Sequence, residues 1–332
     1  MRVAKRPILR WGWVVGFYLV TVWLVLTLTF LLPRLMPGDP LAALIDPSSD
    51  QYLYDEALRT RLAAYYGLDQ PLTVQYLRYL AGLTSGDLGV SLRLRTPVAE
   101  LIAVHLPWTL LLVLPSLMFA TLVTMLAGAE AGWRCGTLLD RVLLVSFTLL
   151  RALPVFFIGL LALLFFSVYL GWLPLAGAYT PFRTWPSIWE QALDLLRHWM
   201  LPTMVLTLEL IGARFLLLRN TMVTVLGEDF MQVARAKGLP ERTLKYRHAL
   251  RNALLPFVSV LAAQVGFAVT GTIFIETLFA YPGMGRLMFE AVAARDYPVL
   301  EGVFLVAALA VLSANLCADL LYARLDPRVR AQ

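Results

Sequence analysis

Long apolar runs separated by polar stretches set the plan of this chain. Windows with few charges lie at 12–33, 107–128, 142–170, 200–218, 253–275 and 302–323. A helix needs about 20 apolar residues to cross the hydrocarbon core of a bilayer. The pattern therefore predicts an all-α integral membrane protein with six transmembrane helices. The 142–170 window exceeds one span and is read as tilted or as continuing into a surface helix. The first run is a full span with no small-residue cleavage site after it, and is read as a retained helix.

The basic residues orient these spans. Arg2, Lys5, Arg6 and Arg10 precede the first run, which places the N-terminus in the cytoplasm. After four spans comes the basic stretch around Arg235 to Arg251, and after six come Arg324, Arg328 and Arg330, so both fall inside with the C-terminus. The chain is 59% hydrophobic and 15% charged with net charge +6, too apolar for an ordinary soluble domain. The positive balance is a topology signal, and no basic soluble face remains for nucleic acid. Cys135 falls in an inner loop and Cys317 in the last span, so neither a disulfide nor a metal-ligand spacing is indicated.

The segment after the first span falls outside. Arg34 to Pro40, RLMPGDP, stops the helix with two prolines. Tyr54 to Tyr66 and Pro71 to Leu83 have helical spacing, with Pro71 at the first position of the second helix. Leu72, Tyr76 and Leu80 form a stripe that packs on something. This segment either shields helix ends or docks an extracytoplasmic substrate-delivery protein.

The chain is organised around Glu228 to Pro256, a polar and basic interruption between two apolar runs. Asp229 either caps or sits in the first turn of a short helix from about Phe230 to Lys237, where its charge meets the positive end of the helix dipole. Gly238 supplies a left-handed closing residue, and Pro240 opens a second short helix. Phe230, Val233 and Ala234 fall on one face of the first helix. The core Ala234-Arg235-Ala236-Lys237-Gly238 is followed by Leu254-Leu255-Pro256. This arrangement resembles the coupling-loop motif of permease subunits of ATP-binding-cassette importers. The resemblance implies that the stretch docks on a cytoplasmic ATPase through Asp229, Phe230, Val233, Ala234, Arg235, Ala236, Lys237, Gly238 and Leu239.

The likeness extends further. RLMPGDP, Gly67 to Leu92, and Glu276 to Gly302 with its Tyr281-Pro282-Gly283 turn resemble the dipeptide, oligopeptide and nickel branch of these permeases. It implies a type I importer permease core at 97–325 with a coupling loop at 227–252. Residues 1–33 would form the N-terminal tail and first span, 34–96 the extracytoplasmic helical segment, and 326–332 a cytoplasmic tail. It implies a bacterial or archaeal plasma membrane protein that is not itself an enzyme. Its expected partners are a second homologous permease, two ATPase subunits holding ATP and magnesium, an extracytoplasmic binding protein and the lipid bilayer. No cofactor or metal is expected in this chain. Peptides are the expected cargo, with nickel or another metal chelate as the alternative. No GxxxxGK[ST] loop occurs, so energy must come from another chain. A stand-alone secondary transporter would predict inverted repeats and would leave the coupling stretch unexplained.

Polar groups within the spans are candidates for a pathway. Counting about 1.5 Å per residue from the assumed helix ends puts Arg151 and Glu209 near the midplane. A charge there is costly, so the two either form a buried ion pair or line a watery path. Gln264, Thr270 and Gly271 in the fifth span either pack helices closely or line the same path. Glu276, Tyr281, Pro282 and Gly283 are assigned to an outer gate by resemblance. His198 is either an external ligand or an interfacial side chain beside Trp199.

Overall fold

The computed structural model describes residues 7–37, 60–61, 63–64, 67–254, 257 and 272–325. The helices are α1 (Pro7–Leu35), α2 (Leu72–Ser85), α3 (Val98–Trp133), α4 (Leu138–Ala152), α5 (Val155–Ala162), α6 (Ile188–Leu226), α7 (Asp229–Ala236), α8 (Ile273–Leu278), α9 (Met284–Ala294) and α10 (Tyr297–Leu325). Leu163–Tyr169 and Thr243–Leu250 are π-helical. Among the described residues four helices, including α3 and α6, are long and apolar enough to cross a membrane, or five if α4 and its bent continuation after Pro154 are counted as one span. The fifth predicted span, 253–275, lies mostly outside the described residues.

The 142–170 window is not one tilted helix. Its two halves meet at an angle of 99°. Pro154 is the cause, because its ring disfavours helical backbone at the preceding residue. Leu153 is accordingly extended, with φ −83° and ψ 131°. Pro154 then caps α5, and its carbonyl accepts from the Phe157 and Ile158 N–H groups at 3.0 and 3.2 Å.

The described residues fall into two compact units. The first draws on Met1–Val104 and Leu287–Leu309, the second on His105–Arg286 and Ala310–Gln332. In the first unit, Arg34 is the hub. It pairs with Glu301 of α10, donates to Gln75 of α2 at 3.1 Å, and lies 3.5 Å from the centre of the Phe30 ring. Tyr76 and Tyr79 of α2 meet Thr27 and Thr29 of α1 through their hydroxyls at 2.7 and 3.0 Å. The packing face of α2 is thus Gln75, Tyr76 and Tyr79 rather than a stripe that begins at Leu72, which is 56% exposed. Pro71 stands at the N-cap, one place before its predicted position. The predicted helix at Tyr54 to Tyr66 lies almost wholly outside the described residues.

The loop ahead of α3 is fastened by one carboxylate. Asp296, buried just before α10, accepts from Ser91 Oγ at 2.5 Å and from the Leu92 and Arg93 N–H groups at 3.1 Å each. Gly302 lets α10 close on α3, since a Cβ there would sit 2.5 Å from Val98 Cγ1.

In the second unit, α3 and α6 carry the core. Leu112, Val113, Leu201, Val205 and Leu206 join Ile158, Ile275 and Phe279 in one cluster. Pro115 has no N–H to give to the Leu111 carbonyl one turn earlier. The Trp199 indole supplies the missing donor at 2.9 Å. Trp199 therefore closes a gap in a helix instead of only marking an interface. His198 is buried, its Nδ1 2.9 Å from the Asp194 carbonyl, so it is not placed as an external ligand.

Asp296→Asn replaces one of two acceptor oxygens by an NH2 group, so the Leu92 N–H on Oδ1 and the Arg93 N–H and Ser91 hydroxyl on Oδ2 can no longer all be met. A hydrogen bond to a charged group contributes about 1.5–3 kcal/mol. The expected outcome is a lower thermal midpoint for the purified protein in detergent, with Ser91→Ala costing less.

Candidate functional site

Residues 228–254 fold as a knob on the Trp133 end of α3 and the Leu226 end of α6. Gly227 closes α6, and Asp229 begins α7 in the position where a negative charge favours a helix start. Gly238 has φ +70°, and its N–H donates to the Arg235 carbonyl at 2.9 Å. Nothing lies within 4 Å of a Cβ built there, so it is the backbone conformation that calls for glycine. Pro240 receives the N–H groups of Thr243 and Leu244, so it caps the second helix.

The faces of α7 differ from the sequence expectation in one respect. Ala234 turns inward with Met231, and both join a buried cluster with Leu218, Met222, Leu244 and Ala249. Phe230 and Val233 remain outside, 41% and 53% exposed, beside exposed Arg235, Ala236 and Lys237. Leu239 packs against the same cluster from the loop. The outward apolar pair is thus Phe230 and Val233, and Met231 is the anchor that sequence reasoning passed over.

Beneath the knob, α3 and α6 are in close contact. A Cβ on Gly132 would lie 2.5 Å from Met222 Cβ, and one on Gly128 would lie 3.2 Å from Leu218 Cβ. Small residues four apart let two helix backbones approach in this way. Ion pairs frame the contact. Arg219 of α6 donates to Asp140 at 3.0 and 2.7 Å, and Asp140 in turn accepts from the Gly136 N–H at 2.9 Å. Glu130 of α3 receives Lys245 from the π-helix and Arg134 at 2.6 Å.

Of the two readings left open for Arg151 and Glu209, the structure does not contain the buried ion pair. Both side chains are exposed. Arg151 lies in the last turn of α4, where the bend removes it from the middle of a straight span. Its Cα and Cβ rest against Gly212 of α6, at 3.3 and 2.9 Å from a Cβ built there. Gln264, Thr270 and Gly271 lie outside the described residues.

The Glu276 segment, beyond the fifth predicted span, is built around a fully buried carboxylate. Glu276 Oε1 accepts from Thr109 and Thr272 hydroxyls at 2.8 Å each, and Oε2 from the Arg286 N–H at 3.0 Å. It sits at the start of α9, where free N–H groups and the helix dipole favour an anion. Burial pushes the Glu276 carboxyl above its ordinary range, while these donors pull it back. Burial also raises the Tyr281 phenol, with the Glu276 charge adding to it. Gly283 has no room for a side chain: a Cβ would lie 2.3 Å from Glu276 Cδ. Gly283 is therefore explained by the carboxylate it encloses, and Gly285 by the Ile273 backbone, 2.8 Å from a Cβ built there, with Glu276 Oε2 at 3.0 Å.

A family model described as "Binding-protein-dependent transport system inner membrane component" matches residues 120–331, from the middle of α3 through the coupling stretch and the Glu276 segment. The chain belongs to this family. Binding-protein-dependent permeases are multi-pass inner-membrane components, and the long apolar helices fit that placement. The di/tripeptide transport system permease protein DppB of Pseudomonas aeruginosa is 38% identical over 332 residues, covering 96% of this chain and 97% of its own. The oligopeptide transport system permease protein AppB of Bacillus subtilis is 35% identical, covering 91% and 93%. The glutathione transport system permease protein GsiC of Escherichia coli is 36% identical, covering 93% and 95%. The transport role is that of a permease subunit in an ATP-driven importer, served by ATPase and binding-protein partners.

The two glycines separate steric from conformational cost. Gly283→Ala forces apart a carboxylate fixed by its donors, an overpacking worth about 1–3 kcal/mol. Gly238→Ala meets only its left-handed backbone, about 1 kcal/mol. Thermal unfolding should therefore drop further for Gly283→Ala, and peptide uptake should fall with it while membrane insertion is normal.

Proposed function

We propose that this chain forms one half of a peptide import pathway, moving di- and oligopeptides released by an extracytoplasmic binding protein. The partners in this reading are a second, homologous permease and two cytoplasmic ATPase subunits, which hold ATP and magnesium. This chain needs no cofactor of its own. The cargo follows from the relatives, whose names give oligopeptides, di- and tripeptides and glutathione.

The observation that carries the reading is the knob. Met231 and Ala234 fasten α7 to the core, while Phe230 and Val233 stand free on its outer side. A short helix built only for its own stability has no reason to leave its largest apolar side chain outward beside arginine and lysine. That face suits a shallow apolar groove on a soluble partner, with Asp229, Arg235, Ala236, Lys237, Gly238 and Leu239 setting its rim and angle. ATP-driven closure of two ATPases then moves the two docked knobs together, and the spans alternate between outward- and inward-open states. Thr270, Gly271 and Gln264 line the path in this reading. Glu276, Tyr281, Pro282 and Gly283 brace its outer end, and Arg151 and Glu209 contribute exposed charge toward the path instead of cancelling one another.

Co-purification tests it. Tagged chain extracted in mild detergent should bring down the second permease and the ATPase. Phe230→Asp should lose the ATPase while keeping the second permease, because the charge enters the apolar contact without touching Met231. Gly238→Pro should do the same, since proline is fixed near φ −65° and cannot replace a residue at +70°. Wild-type chain that recovers no ATPase from an intact membrane complex contradicts the reading. Uptake of a labelled dipeptide against nickel in vesicles containing the assembled system tests the cargo.

A further inference from the structure

The coupling stretch is fastened to two helices by two different kinds of contact. Met231 and Ala234 hold it to α6 through Leu218 and Met222, an apolar contact. Lys245 holds it to α3 through Glu130, an ionic one. Lys245 is only 7% exposed, with Leu244, Ala249 and Leu250 buried around it, and its Nζ lies 5.0 Å from the centre of the Tyr246 ring. Arg134, just past the end of α3, completes the cluster on the solvent side.

The two contacts do different things. Apolar burial is non-directional, so the Met231 contact tolerates small sliding. A lysine–carboxylate pair fixes a donor on an acceptor and sets a register. A buried pair adds little net stability, because desolvation offsets most of the attraction. Its presence in a short surface element points to geometry. Since Gly128 and Gly132 lock α3 to α6, a stretch pinned to both cannot move one without the other.

We infer that Lys245 is a positioning residue for energy coupling, whose pair with Glu130 fixes the docking knob on α3 so that its displacement enters α3 and α6 as one body. This rests on the coupling reading above. The lever is then the joined ends of the second and fourth predicted spans, and not solely the fifth span that follows the stretch in sequence.

The test uses the whole transporter, with its partner subunits and binding protein, reconstituted in vesicles. ATP hydrolysis and accumulation of a labelled dipeptide are measured in the same preparation. With Lys245→Met the ATPase should stay bound and hydrolyse ATP within about twofold of wild type, while dipeptide accumulated per ATP falls at least about fivefold, the low end of coupling between sites. Glu130→Gln, which also loses the Arg134 pair, should lose at least as much, and adding Lys245→Met to it should add nothing further, because the Lys245–Glu130 interaction is already gone. Lys245→Arg should restore the ratio by reaching the same carboxylate. An unchanged ratio in Lys245→Met, or losses that add in the double variant, overturns the inference while the coupling reading stands. Where Lys245→Met does not assemble, the ratio in Glu130→Gln decides. Absence of the ATPase from the wild-type preparation overturns the coupling reading itself.

Discussion

Where α3 and α6 meet, near Trp133, a methyl group does not fit between them. A Cβ on Gly132 would come within 3.0 Å of the Arg219 carbonyl as well as striking Met222. Much of the second unit depends on that approach. It brings Leu218 and Met222 to a common surface with Ala129, and on this surface α7 and the π-helix lie. It also sets Arg219 within reach of Asp140 and Glu130 within reach of Lys245. Separate the two helices by the width of a side chain and the floor under the knob, with both ion pairs, is lost.

Loops elsewhere are held by single buried carboxylates surrounded by donors. Asp296 takes one hydroxyl and two N–H groups, Asp194 takes the Thr180 N–H and hydroxyl at 2.7 Å each, and Glu276 takes two hydroxyls and the start of a helix. A buried polar group is costly unless its hydrogen bonds are made. A carboxylate offers several acceptor sites at once, so one side chain can satisfy a turn that has no regular structure of its own. This suits a protein whose helices are mostly apolar and whose connections must be rigid without a large core. Gly283 follows from the same economy, since backbone N–H groups must come up to the carboxylate with nothing between.

Much of this was legible in the sequence. Asp229, Gly238 and Pro240 marked the short helix and its ends, because caps and left-handed residues are local chemistry. The long apolar runs marked α1, α3, α6 and α10. What failed was depth and facing. Counting inward from assumed ends placed Arg151 in the middle of a straight span, yet Pro154 turns the chain by 99° three residues later. In α7, apolar residues occupy so many positions that spacing alone does not separate the Met231–Ala234 face from the Phe230–Val233 face. Contacts between distant residues left no local trace at all. Thr109 with Glu276, and Glu130 with Lys245, are separated by 167 and 115 positions.

The position of the ion pairs relative to the bilayer explains why the chain can use them. At about 1.5 Å per residue, α3 is roughly 54 Å long, against a hydrocarbon core of about 30 Å. Glu130 lies in the last turn of that helix and Lys245 in the adjoining π-helix. The charges therefore sit past the apolar window of the span, where water reaches Arg134 but not Lys245. In hydrocarbon such a group would be too costly to leave unpaired during any movement. In open water the pair would be too weak to hold a register. Between the two, at a partly buried end packed on apolar side chains, an ion pair is strong enough to orient the knob and its parts remain soluble enough to assemble. On the proposed coupling reading, the length of α3 and α6 beyond a bilayer core supplies the environment in which the stretch is both docked and aimed.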